Sequence, residues 1–296
     1  MKVLLVLLSS LIMTNCASSN LTKENQTFEE LILAGKDIFI EGQTFDKDID
    51  FTQFEKTLIS DGIQQVRIIS AISFKNCTFN GKVIAYDKGE EGISTITAFQ
   101  SSLSFTGCTF NEEVNFKASS VLGRTDFTKA AFFNTVNFEE CTFVQNAYFR
   151  GTIYHKELRF QHALFMQKAN FLNTEYDETA SFQKAVFNGE TQFSSSRFMG
   201  YTDFGNISCS GDFLANFTEF ADRVIFNNSF FYRRTDLNNV SFNYCEIKNC
   251  SFIGESRFVE SKVNKQIFFE DCKFFTGIPD FNSFDTNKLS TKGLSK

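Results

Sequence analysis

The stretch FQHALFMQKANFLNTEYDETASF, residues 160–182, sets large apolar residues at Phe160, Phe165, Phe171, Tyr176 and Phe182, alternately five and six positions apart. The series extends from Phe105 to Phe242, and 20 of its 26 positions are Phe, where 40 Phe spread over 296 residues would place three or four there by chance. An 11-residue period is therefore a property of the fold, and a fixed period of this kind marks a solenoid. Two residues before each large position stands a small or β-branched one, as in Ala163, Ala169, Ala180 and Thr191, with Asn170, Ser181 or Gln192 between. Side chains two apart on a strand share a face, so the small residue and the Phe point inward together and the intervening residue points out.

One coil must hold two periods. Eleven residues at about 3.3 Å each give a perimeter of roughly 36 Å, too tight for two Phe inside. Twenty-two residues make four sides, with four large and four small inward positions per turn. The register is fixed by Ser73–Asn80 (SFKNCTFN) recurring as Ser104–Asn111 (SFTGCTFN), 31 residues later. The nine residues beyond one coil are an insertion near 83–95, where the polar run Tyr86-Asp87-Lys88-Gly89-Glu90-Glu91-Gly92 bulges out. Asp87, Lys88, Glu90 and Glu91 are its candidate interaction residues.

Toward the N-terminus, Lys2, the apolar run Val3 to Met13 and Cys16 have the layout of a secretory signal peptide, with a run too short to span a bilayer. Cys16 resembles the lipid-attachment cysteine of bacterial lipoproteins, although Asn15 departs from the small residue usual before it; ordinary cleavage near Ala17 is the alternative. Residues 17–26 form a tether and 27–60 an N-terminal cap, in which Thr27 and Glu30 have capping-box spacing and Gly35 ends a short helix. The repeat occupies 61–275. Cys209 and Ala215 put small residues at large positions while Phe213 and Phe217 fall out of phase, so that coil is expected to be distorted. After Phe242 the phase slips by one. Residues 276–296 form a C-terminal plug around Phe281 and Phe284, followed by a polar tail from Asp285 expected to be mobile.

Units such as Ala163-Leu164-Phe165, Ala169-Asn170-Phe171 and Cys108-Thr109-Phe110 resemble the pentapeptide-repeat family, in its Phe-rich branch with alternating five- and six-residue spacing. The resemblance implies an all-β fold, a right-handed quadrilateral parallel β-helix, here with a short N-terminal helical cap.

Candidate chemistry is sparse. With 29 Lys and Arg against 35 Asp and Glu and no block of like charge, nucleic acid is not an expected partner. Apart from Cys16 and Cys209, the cysteines occupy small inward positions, which makes them core filler. Cys250 and Cys272 stand one coil apart, a spacing that also permits a disulfide, as do Cys77 and Cys108. Asp46, Asp48 and Asp50 alternate as in a calcium loop, but Phe51 stands where such a loop needs Gly. His155 and His162 read as surface residues, and no metal or other cofactor is expected. Leu164 and Val186, 22 apart with Thr142 and Ser208, form a candidate outer patch.

The expected function is a non-enzymatic scaffold or binding module, exported, lipid-anchored to a bacterial cell envelope, presenting a rigid surface to a protein or glycan; a homodimer stays open. The alternatives are a glycan-active β-helix enzyme and, since the family contains them, a DNA-mimicking inhibitor of a DNA-binding enzyme. If Cys16 carries lipid, cells expressing the parent chain will incorporate radiolabelled fatty acid into it and the Cys16→Ala form will not; equal labelling would refute the attachment.

Overall fold

The computed structural model describes residues 27–89 and 92–296. The chain winds into a parallel β-solenoid of about nine turns with roughly 22 residues per coil. A representative coil shows its four sides: Thr125–Asp126, Ala131–Phe132, Val136–Asn137 and Thr142–Phe143, hereafter the first to fourth faces. Each two-residue strand pairs with the strand 22 residues on, Thr125 with Ala147, Ala131 with Ile153, Val136 with Leu158 and Thr142 with Leu164. The first face is a 10-stranded sheet and the fourth a 12-stranded one, while the second and third are joined in an 18-stranded sheet.

The interior is four columns of rings. Along one, Phe127, Phe149, Phe171 and Phe193 stack with centroids 5.5, 4.9 and 4.7 Å apart. Between columns the contacts are edge to face, as in Phe149–Phe160 at 5.3 Å and 81°. Burial of each Phe contributes about 2–3 kcal/mol, and each well-set ring pair about 0.5–1.5 kcal/mol more.

The corners explain the alternating spacing. Each five-residue step contains a residue with positive φ at its centre, among them Ala118 (53°), Lys129 (60°), Glu140 (60°), Gly151 (66°) and Asn173 (56°). The residue after it closes a four-residue turn: Ser119 N–H donates to the Phe116 carbonyl at 3.0 Å and Ala130 N–H to that of Phe127 at 3.0 Å. A left-handed residue at the third position is the signature of a type II turn, which favours Gly or Asn. Asn fills it at 76, 173, 206, 228, 239 and 249. The six-residue steps turn without such a residue and need one position more.

The Cys209 coil is not distorted. Its strands stay in register, Cys209 opposite Phe231 and Phe213 opposite Thr235. Sizes are exchanged instead: Phe213 occupies an inward position that is small in the neighbouring coils, is 1% exposed, and meets Phe193, Phe204 and Phe231 at 5.7, 5.8 and 5.5 Å. It fills the volume that Cys209 and Ala215 leave. Phe217 sits at a left-handed corner (φ 59°) and is 65% exposed. The slip after Phe242 is located at a bulge, since Phe220 pairs with Phe242 but Arg223 with Tyr244. One corner is lost there, and the strands Glu219–Ile225, Ser241–Lys248 and Lys262–Glu270 run across it.

At the N-terminal end, Thr27 Oγ1 accepts from Glu30 N–H at 3.1 Å and Glu30 Oε2 from Thr27 N–H at 3.0 Å, the reciprocal capping box. The helix Phe28–Leu33 sets Phe28 on Phe51 and Phe74, both at 5.8 Å. Ladder pairing already includes Ile38–Glu41, whose Ile38 stands opposite Ile72. That 34-residue coil carries an antiparallel hairpin, Lys56–Ser60 with Ile63–Ile68, which no periodic signal marks. At the other end Phe281 packs on Phe269 at 4.5 Å. The segment from Asp285 is not a free tail: Leu289–Lys292 pairs in parallel with the strand at Ile267, and half-buried Leu289 packs against the core. Its few residues are too short for alternation to register in sequence.

Phe213→Ala should cost about 3–5 kcal/mol in urea unfolding, because its neighbours at 209 and 215 are already small. Phe217→Ala should stay within about 0.5 kcal/mol. Equal losses would contradict the exchange of sizes.

Candidate interaction surface

The sheet register lines outward residues into columns one coil apart, so the surface is a set of parallel stripes. Three faces carry charge. The first face bears Asp126, Asp236 and Arg257, the second Glu175, Arg197 and Glu219, the third Arg159, Asp203 and Glu246. Many charges are compensated by the next coil: Lys156–Glu178 at 2.7 Å, Lys168–Glu190 at 2.8 Å, Lys117–Glu139 at 3.1 Å and Arg234–Asp212 at 3.2 Å. Exposed pairs of this kind are worth at most about 1 kcal/mol each.

The fourth face differs. Between Arg67 and Lys273 its outward column runs Ala98, Ser120, Thr142, Leu164, Val186, Ser208, Phe230 and Ser251, each opposite the next, without a charged side chain. Leu164 and Val186, the patch expected from sequence, are adjacent and half-buried at its centre. The residue after each inward one forms a second column along the edge, in which Leu122, Met166, Tyr232, Ile253 and Phe275 are exposed. Sequence reading missed this column, because its apolar residues are visible as a stripe only after the 22-residue register is applied.

The remaining sequence candidates are scattered. Cys16, Glu90 and Glu91 lie outside the described residues. Asp87 and Lys88 are exposed on the strand Tyr86–Lys88, which turns back antiparallel on Ser94–Phe99. Asp46, Asp48 and Asp50 each accept a local hydrogen bond, from Asn80 Nδ2 at 2.6 Å, Lys82 N–H at 2.8 Å and Thr52 N–H at 2.8 Å. Among the described residues no group of three His, Cys, Asp or Glu could hold a metal ion. His155 lies against the Phe133 ring at 4.5 Å, its Nδ1 2.7 Å from Asp177 Oδ2; His162 occupies a left-handed corner.

Cys250 and Cys272 are not bridged. Both are free, buried thiols, and each donates to the carbonyl that opens the corresponding turn one coil below: Phe226 O at 2.6 Å and Ile247 O at 3.1 Å. Ser196, Thr218 and Ser229 make the same bond, to Phe171, Phe193 and Phe204, at 2.8, 2.9 and 3.0 Å. The small inward residue at these corners thus pins a buried carbonyl, which S–H does as O–H does.

The long strands around Phe220–Glu270 hold a deeply set carboxylate network. Glu246, 6% exposed, pairs with Arg223 and Lys248, whose cationic groups lie over Tyr244 and Phe268 at 5.4 and 5.2 Å. Burial pulls the Glu246 carboxyl up, and the two cations more than reverse this, holding it below the usual carboxylate range. Each ring thus carries one cation of the network.

Four parallel ladders around a packed core define a quadrilateral β-solenoid, a scaffold or binding architecture. Residues 119–164 and 160–208 match the family model described as pentapeptide repeats (9 copies), so this part of the ladder carries pentapeptide repeats. No curated protein and no solved structure matches it.

Alkylation of the native protein should leave Cys77, Cys108, Cys141, Cys209, Cys245, Cys250 and Cys272 unmodified. Alkylation in denaturant without reductant should modify all of them by mass spectrometry. Protection of Cys250 and Cys272 in denaturant would show that they are bridged.

Proposed function

We propose that this chain is a non-enzymatic, envelope-tethered scaffold whose fourth face and adjoining edge form its contact surface. The observation that carries this reading is the asymmetry of charge. The four outward columns are geometrically equivalent, yet one runs without charge through eight coils from Ala98 to Ser251, while the longest neutral runs read on the first and second faces are four and five coils, Tyr148 to Leu214 and Thr44 to Ile153. Depletion of charge together with exposed aromatic residues and Met is the composition of an interface core. Continuous stacking makes the rod stiff, so such a surface is presented pre-formed, without an ordering cost on binding. Solenoids of this family are typically non-catalytic, and a closed core leaves contact with the outer surface as the means of action. Export through the N-terminal segment and attachment at Cys16 would place that surface at the envelope. A protein fits it better than a glycan, because its exposed apolar side chains are interspersed with small ones and lack a flat, open aromatic platform.

The test is photo-crosslinking in intact cells, with the reactive side chain placed at Met166 on the contact edge or at Asp177 on the charged edge. Adducts should form from Met166 and not from Asp177. Equal yields from both positions, or none from either, would overturn the reading.

A further inference from the structure

We infer that the occupant of the fourth-face edge is a second copy of this chain, packed side by side with its axis reversed. The inference rests on the reading of that edge as the contact surface, and goes further by naming what covers it. Its basis is the order of residues along the edge. Backbone bonds place Val144, Met166, Asn188, Ser210, Tyr232 and Ile253 on successive coils, Val144 N–H to Val121 O at 3.0 Å, Met166 N–H to Phe143 O at 2.9 Å, and so on to Ile253 N–H to Phe231 O at 2.8 Å. The centre, Asn188 and Ser210, is polar; both arms are apolar. Outward from the midpoint the residues therefore match in pairs: Asn188 with Ser210, Met166 with Tyr232, Val144 with Ile253.

A two-fold axis through the midpoint, perpendicular to the edge, lays each residue of one copy on its matched residue in the other. An isologous contact requires this self-complementarity. The next pair out, Leu122 with Phe275, obeys it. In the adjoining outward column Leu164 meets Phe230, while Val186 meets Ser208 and Ser120 meets Lys273 at the end of the band. On the other side Gly189 and Gly211 stand at the midpoint, where a Cβ would meet the backbone of the coil below at 2.4 and 2.3 Å, so packing within the chain itself requires glycine there. No ion pair crosses the band, exposed Arg233 stands within it one coil from Gly211, and of the flanking charges Lys168 and Glu190 are paired with each other at 2.8 Å.

From Leu122 to Phe275 the band is about 34 Å long and, at three residues, about 10 Å wide. Two copies would cover roughly 700 Å² in total, the size of a weak, transient contact and not of an obligate pair. The dimer should form with rising concentration and be favoured where chains are confined to a surface.

The experiment uses full-length protein in detergent. Two single variants, Met166→Cys and Tyr232→Cys, are oxidised separately and mixed, and linked peptides are identified by mass spectrometry. In the reversed pairing position 166 of one copy lies on position 232 of the other. Two copies of position 166 lie three coils apart, about 14 Å, beyond the roughly 7 Å that a disulfide spans. The mixture should give the 166–232 link, and neither variant alone should give a link between like positions. Light scattering of the unmodified chain should show a dimer growing with concentration, abolished in Met166→Glu, whose circular dichroism should be unchanged because Met166 is exposed. A link in the single-variant samples, no link in the mixture, or a Met166→Glu chain that dimerises like the parent would overturn the proposal. If links fail while cellular adducts from Met166 persist to another protein, the contact surface stands and the second copy does not.

Discussion

Everything in this structure depends on the match between two lengths. Parallel strands repeat at about 4.8 Å, and aromatic rings translated along a ladder stack well at nearly the same distance. Phe110 and Phe132 stand 4.6 Å apart, Phe143 and Phe165 4.9 Å, Phe182 and Phe204 5.0 Å. A ring in one coil therefore positions the ring above it without tilt or strain. Four such columns meeting edge to face fill the cross-section. The demand this makes is local: each coil must supply the same volume, though not from the same positions, and the exchange among Cys209, Phe213 and Ala215 shows the rule at work.

The corners impose the second constraint. A 22-residue coil must turn four times, and at two of those corners a left-handed residue closes the turn in one residue fewer. Lys129, Glu140, His162 and Lys184 hold that conformation at a cost of about 1–2 kcal/mol each, which the stacked rings on either side outweigh. Each turn also buries a carbonyl, which needs a donor. Small inward Ser, Thr and Cys supply it from the coil above, so residues that looked like space-fillers also carry a hydrogen bond.

The ladder was legible in sequence because Phe at alternating five and six has one economical geometry. The insertion near 83–95 was legible because two octapeptides, Ser73–Asn80 and Ser104–Asn111, gave its length. What escaped was whatever breaks the period. The hairpin at Lys56–Ser60 lies where no Phe recurs, and the strand at Leu289–Lys292 is four residues long. The Cys209 coil read as damaged because position, and not volume, was being counted. The apolar edge column escaped for another reason: Leu122, Met166, Tyr232 and Ile253 look like scattered surface apolars until the coil length is known, and the 21-residue step at Ile253 hides the last of them from a strict 22-residue count.

A solenoid separates its inside from its outside more completely than a globular domain does. Alternation along each strand sends one residue in and the next out, and the ladder fixes only the first. Nothing in the packing asks the outward residue of the fourth face to be neutral, since Glu175, Arg197 and Glu219 occupy the equivalent place on the second face and Arg159 and Asp203 on the third. Nor does solubility favour the stripe as a whole, because exposed Phe230 in this column and Met166, Tyr232 and Phe275 along the adjoining edge leave apolar area in water at about 25 cal/mol per Å². Folding is indifferent to that stripe and solvation opposes it. On the reading proposed above, its neutrality along eight coils is set by what the surface meets.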